Sequence, residues 1–233
     1  MTTTDDRIPG SVDTRRQARA LGGIVPHRGM QVDTLALFLG TNRSHSYEVA
    51  AELLALGLVH PLREIGAGAK WILPTSLGVR WYLGRSGSTW RPSLLWSIRA
   101  RAVVHTRIAL GARDHDAWRT DHDLCIDNAH PGRYLYDGQW NTPDTFVAVK
   151  VDTAAYRLTP AKLTDTLRRL TTRVREDSCG GLLWVAHGAT PADIVRTALA
   201  ELPDHGQALT VAVVDYTDLT DPNTPVITPW GVA

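Results

Sequence analysis

The sequence predicts an α+β protein of two domains, a small helical domain with a β-hairpin followed by a mixed α/β domain. Helical periodicity punctuated by glycines dominates to about residue 90; beyond it, short β-prone runs and turns give way to alternating helices and strands. Charge divides along the chain as well. Residues 1–113 hold 15 Lys+Arg and 7 Asp+Glu, residues 114–233 hold 10 and 17, so a net charge of +1 covers formal values of +8 and −7. Such a split suggests one half that faces nucleic acid and another that faces something else.

Residues 1–13 are expected to be a disordered lead, and residues 14–90 the first domain. A first helix is expected over Asp13–Leu21, stopped by Gly22 and Gly23. In QVDTLALFLG, Val32, Leu35, Ala36 and Leu39 share a helical face and Gly40 supplies the stop. A second helix opens with Thr41 or Asn42 as N-cap; its apolar set, Val49, Ala50, Leu53, Leu54 and Leu56, begins late, so Arg43 to Tyr47 are expected to stay exposed. Two β-prone runs, Leu58–Ile65 and Lys70–Leu73, then flank the turn Gly66-Ala67-Gly68-Ala69 as a hairpin, and SLGVRWYLG forms a short helix.

Helix, turn, helix and hairpin is the order of a winged helix-turn-helix. An apolar C-terminal half anchors the second helix while its polar N-terminal half is free for a major groove. The expected partner of residues 14–90 is double-stranded DNA. Arg43, Ser44, His45, Ser46 and Tyr47 are the candidates for base-edge and phosphate contacts, and Arg63 and Lys70 for phosphates or the minor groove. A winged helix used only for protein contacts is the alternative.

An arginine-rich helix over about Pro92–Ala112 follows, with Leu94, Leu95, Ile98, Ala102 and His105 near one face. WRTDHDLCID, GRYLYDG and TFVAVKVD read as three short strands, LTPAKLTDTLRRLTTRVRE as a helix with Pro160 in its first turn, and GGLLWVAHG as an apolar strand. TPADIVRTALAELP reads as a helix capped by Thr190 with Pro191 first, and ALTVAVVDY as the last strand. A β-meander leading into βαβ crossovers makes a mixed sheet with helices on its faces over residues 91–218, and residues 219–233 are expected to be an extended tail.

With the "LPTSLGVRWYL" return, the arginine-rich helix bearing His105, and HPG…FVAVKVD ahead of a basic helix, residues 30–218 resemble the replication-relaxation proteins of actinobacterial plasmids and integrative elements. The resemblance implies an N-terminal winged helix fused to an αβββαβ restriction-endonuclease-like domain of the PD-(D/E)xK type. Such a site holds Mg²⁺ between carboxylates of neighbouring strands, with a lysine beside the attacking water. Here the strand reads Phe146-Val147-Ala148-Val149-Lys150-Val151-Asp152, with the valines on one face and Lys150 and Asp152 together on the other. The order is Lys-x-Asp where the pattern has the acid first. Upstream, His130-Pro131-Gly132 offers no carboxylate, Pro143-Asp144 stands close to the strand, Asp137 or Asp127 could substitute spatially, and the arginine-rich helix contains no acid. A catalytic set, if present, would be Asp152, Lys150, Asp137 and Asp144, with Asp152 and Asp137 on the metal. The alternative is a solvated face or ion pair, which the acidic balance favours, because phosphate neutralisation supplies most non-specific DNA affinity.

Other chemistries lack their motifs: G-x-S-x-G, a Walker A loop and C-x-x-C are absent. The eight tryptophans are scattered without period and suit core packing. Two distant cysteines, a polar start unlike a secretory signal and no membrane-length apolar run suggest a cytoplasmic protein without membrane partners. The expectation is a DNA-binding protein of a mobile element, acting in plasmid or phage replication, transfer or transcription control. It needs no cofactor unless Mg²⁺ serves an active nuclease, and its acidic half, residues 114–233, would join a protein partner or itself. A Mg²⁺-dependent endonuclease and a ligand-responsive regulator are the alternatives.

Overall fold

The structure is a computed structural model that describes residues 15–85, 92–128, 134–202 and 209–221. The expected lead, the His130-Pro131-Gly132 segment and the tail beyond residue 221 lie outside the described residues. Helix α1 spans Arg15–Ile24 and continues through Gly22 and Gly23, where the sequence suggests a stop. Close approach explains the difference: a Cβ on Gly23 would lie 2.9 Å from the Phe38 ring. Helix α2 (Val32–Leu39) buries Val32, Leu35, Ala36 and Leu39, as its period requires, and ends on Gly40 at φ 69. Asn42 caps α3 (Arg43–Ala55), its side chain accepting the His45 N–H at 2.8 Å. Of the expected apolar set, Val49, Ala50 and Leu53 are buried, whereas Leu54 is exposed.

The hairpin takes a different form from the one expected. Only Trp71–Ile72 is a strand, β2, and it pairs antiparallel with β1 (Met30–Gln31) just ahead of α2, at Met30↔Ile72 and Gln31↔Trp71. The other arm touches it by two isolated bridges, Val59↔Pro74 and Arg63↔Trp71. Four steps separate the bridged residues on one arm and three on the other, so the first arm carries an extra residue, and Pro61 between its bridges has no N–H to donate. Helix α4 (Ser76–Leu83) starts on a Thr75 cap and ends on Gly84.

Helix α5 spans Leu94–Ala109, and the chain divides into two compact units inside it, after Ser97; the sequence reading sets the boundary near residue 90. The helix buries Ala100, Ala102, Val103, Val104, Thr106 and Arg107, while Leu94, Leu95 and Ile98 of the expected apolar stripe are exposed.

In the second unit, Trp118–Thr120 forms β3 and the chain turns at once into α6 (Asp121–Asp127). The expected strand over WRTDHDLCID therefore stops at Thr120, whose side chain forms a capping box with Asp123. Next come β4 (Gly138–Asn141), later than GRYLYDG suggests, and β5 (Phe146–Asp152). Then follow α7 (Pro160–Glu176), β6 (Gly181–Ala186), α8 (Ala192–Ala200), β7 (Thr210–Asp215) and α9 (Tyr216–Thr220). Thr190 does not cap α8; its buried hydroxyl accepts the Leu158 N–H at 3.1 Å. The sheet order is β3-β4-β5-β6-β7, antiparallel through β5 and parallel from β5 to β7. It is the expected mixed sheet. One face packs Ala148, Leu182 and Trp184 with residues of α7 and α8, and the other packs Val147, Val149, Val151, Leu183 and Val185 with α5 and α9. Among the described residues, no helix is long and apolar enough to cross a membrane.

Candidate functional site

The first group of sequence-selected residues lies on α3. Arg43 and Ser44 are exposed, and Arg43 approaches the Tyr47 hydroxyl at 3.4 Å with its guanidinium 5.7 Å from that ring's centroid. Ser46 departs from the expectation of exposure: it is fully buried, its position in the helical period placing it on the same face as the buried Val49, Ala50 and Leu53. His45 is half-buried and engaged on both ring nitrogens, by Arg16 of α1 at 3.2 Å from Nε2 and by Glu48 at 3.2 Å from Nδ1. Arg63 and Lys70 are exposed on the bridged arms, where Lys70 Nζ stands 3.8 Å from Glu64. Arg16 was not singled out by sequence. It lies outside the expected helix-turn-helix, and only the packing of α1 on α3 brings it beside His45 and Glu52.

The second group lies at the carboxyl end of β5. Lys150 Nζ stands 3.4 Å from Asp137 Oδ2, which also accepts the Val151 N–H at 2.7 Å. Asp137 Oδ1 accepts from the Arg99 guanidinium, through Nε at 2.7 Å and through Nη2. Arg99 also reaches Asp121 at 3.3 Å. Burial alone would lower the Arg99 pKa, but Asp137 and Asp121 outweigh it and raise it. Both oxygens of Asp137, a buried residue, are therefore committed to cations and a backbone donor.

Asp152 shares the strand face of Lys150 and Ala148, and that face is not solvated: Ala148 packs with residues of α7 and α8, Asp152 is buried and Lys150 is half-buried. Asp152 Oδ1 accepts the Ala154 N–H at 3.0 Å, while its buried Oδ2 has no hydrogen-bond partner. Burial pushes the Asp152 pKa up and Asp137 adds to the rise, against the Ala154 N–H and Lys150. Two residues before Lys150, where the (D/E)xK pattern places its acid, stands Ala148, fully buried. Asp144 is not brought in: it is exposed in the turn before Phe146, the far end of β5, which strand rise alone puts about 20 Å from Asp152. Asp127 pairs with Arg119 instead. Among the described residues, no three His, Cys, Asp or Glu side chains gather into a set able to hold a metal ion.

His187 follows β6 and takes its place beside this end of the sheet, its ring 3.9 Å from that of Tyr216, with His105 of α5 stacked 6.4 Å from the other ring. Burial lowers the His187 pKa against the pull of Asp152. Only the parallel pairing Asp152↔Ala186↔Asp215 makes these residues neighbours, so no local motif announces them.

The charge split is less sharp across the units than along the chain. Residues 1–97 hold 11 Lys+Arg and 7 Asp+Glu, residues 98–233 hold 14 and 17, giving formal values of +4 and −3. The stretch 98–113, with four arginines and no acid, supplies the difference, and in it Arg99 and Arg107 serve internal contacts: Arg107 is buried and donates to the Ala112 carbonyl at 2.6 Å. No protein-family model, no curated protein and no solved structure matches the chain.

Proposed function

We propose that the protein binds double-stranded DNA through its first unit, with α2 and α3 as a helix-turn-helix and the bridged arms as the wing. The carrying observation is the build of α3. A three-residue turn, Gly40-Thr41-Asn42, leads from α2 into an Asn42-capped helix that offers exposed Arg43 and Ser44 ahead of the buried anchors Val49, Ala50 and Leu53. The exposed end is the N-terminus, where the helix dipole favours phosphate. Lys70 and Arg63 on the arms extend the basic surface. A role in plasmid or phage replication, transfer or transcription control accompanies this reading. The second unit is then a nuclease-like fold that serves assembly, with a protein partner or a second copy.

The endonuclease alternative is the weaker one, because Asp137 is tied to Arg99 and Lys150 while Ala148 stands where an acid would be needed. Fluorescence anisotropy of the full chain with a labelled duplex tests the proposal. Affinity should fall linearly with salt on logarithmic axes, and Arg43→Ala and Lys70→Ala should each flatten the slope by roughly one counterion. Absence of salt-dependent binding defeats the reading.

A further inference from the structure

Resting on the DNA-binding reading, we infer that Glu48 is a base-discriminating residue of α3. It accepts a hydrogen bond from the exocyclic amine of a cytosine in the major groove, and His45 and Arg16 act as its positioning residues. Ser44, Glu48, Ala51 and Ala55 are all exposed and spaced so that they line one face of the helix. The two alanines let that face approach closely, and Glu48 is the single charge on the stripe.

A carboxylate on such a face works against phosphate attraction, so it suits a role only where it meets a donor. Major-groove donors are the amines of adenine and cytosine; adenine sets an acceptor, N7, beside its amine, and a carboxylate is repelled there, so cytosine is the match.

The carboxylate is also held in place. A guanidinium only donates, so Arg16 at 3.2 Å makes His45 Nε2 an acceptor and places the ring proton on Nδ1. That N–H donates to Glu48 Oε2 at 3.2 Å. Oε1 makes no hydrogen bond among the described residues, on a side chain 66% exposed. Arg16 is itself anchored to Glu52, which Gln17 also holds at 2.8 Å. The chain Arg16–His45–Glu48 therefore fixes one carboxylate oxygen and presents the other.

The test is selection by the full chain from a random-sequence duplex pool, with the bound fraction sequenced. The native protein should enrich a site with one C·G pair preferred about tenfold over the others. Glu48→Gln should move that preference to A·T, because an amide reads adenine N6 and N7 together, and should tighten binding to unselected duplex by removing a negative charge. His45→Gln, able to accept from Arg16 and donate to Glu48, should keep the C·G preference, whereas His45→Ala should relax it. Thermal melting confirms that each variant is folded, as the exposure of Glu48 favours for its substitution. Enrichment of one motif by both the native chain and Glu48→Gln, or a native site without a preferred C·G pair, overturns the inference while DNA binding stands. Loss of all salt-dependent binding defeats the DNA reading beneath it.

Discussion

Lys150 Nζ lies 3.4 Å from Asp137 Oδ2 across the β4–β5 pair, while Asp152, two residues along the same strand face, keeps a buried carboxylate oxygen without a hydrogen-bond partner. The lysine thus neutralises the upstream acid. Together with Arg99, it makes Asp137 the centre of a buried ion cluster that joins α5 to the sheet.

Asp137→Ala should be strongly destabilising. It leaves Arg99 and Lys150 without their shared counter-charge and the Val151 N–H without its acceptor, at a site whose side chain is 0% exposed. Breaking a buried pair by removing one partner costs about 3–5 kcal/mol. Urea denaturation of the full chain measures it, and a loss within ~0.5 kcal/mol, typical of a surface position, would contradict the assignment.

Incubation with supercoiled plasmid and Mg²⁺ or Mn²⁺ should give no cleavage above background. A metal at Asp137 would first have to displace a guanidinium, a lysine and a backbone N–H. Nicking that disappears in Asp152→Ala would reverse this expectation.

The stability of the first unit should carry an acid-sensitive component at Glu52. Hydrogen bonds from Gln17 and Arg16 favour the ionised carboxyl and hold its pKa below the ordinary 4.5, with burial opposing. Because the folded-state value is the lower one, the stabilisation is present above 4.5 and disappears as pH falls through the folded-state value. Melting temperatures of the native chain and Glu52→Gln across that range should converge in acid and separate toward neutrality. A constant difference at every pH would exclude the linkage.

Gly78→Ala should destabilise by about 1–3 kcal/mol or more, since a Cβ there would stand 2.0 Å from the Leu58 carbonyl oxygen, a backbone atom that cannot rotate away. Gly84→Asn, at φ 67 with open space around it, should be nearly neutral by comparison. Thermal unfolding of the two variants side by side checks the contrast.

Local signals account for much of the fold. The cap at Asn42, the stop at Gly40, Pro160 at the start of α7 and the apolar runs of β5, β6 and β7 all stand where sequence places them, because each depends on neighbours within a turn or on a short apolar run bounded by turn residues. Where a local signal was double-valued, packing decided. Gly22 and Gly23 read as a stop, yet the helix runs on and Gly23 admits Phe38; Thr190 reads as a cap, yet it binds the Leu158 N–H. WRTDHDLCID reads as a strand, yet Thr120 caps a helix within it.

The candidate sites divide in the same way. Sequence alone placed Arg43 and Ser44 at an exposed helix start, and Lys150 and Asp152 on one strand face, because both follow from helix or strand period. It could not rank Asp137 against Asp127 and Asp144, foresee that Ser46 is buried, or connect Arg16 to His45 and Glu48. Those relations join residues separated by tens of positions: Arg99 to Asp137, Arg16 to Glu52, Asp152 to Ala186 and Asp215. By itself, then, the sequence determined the helices α2 to α5, α7 and α8, the strands β5 to β7, and the residue types at the helix starts and stops. Only the tertiary structure decided which charges meet, since the closing of long loops, and not the local backbone, chooses each side chain's partner.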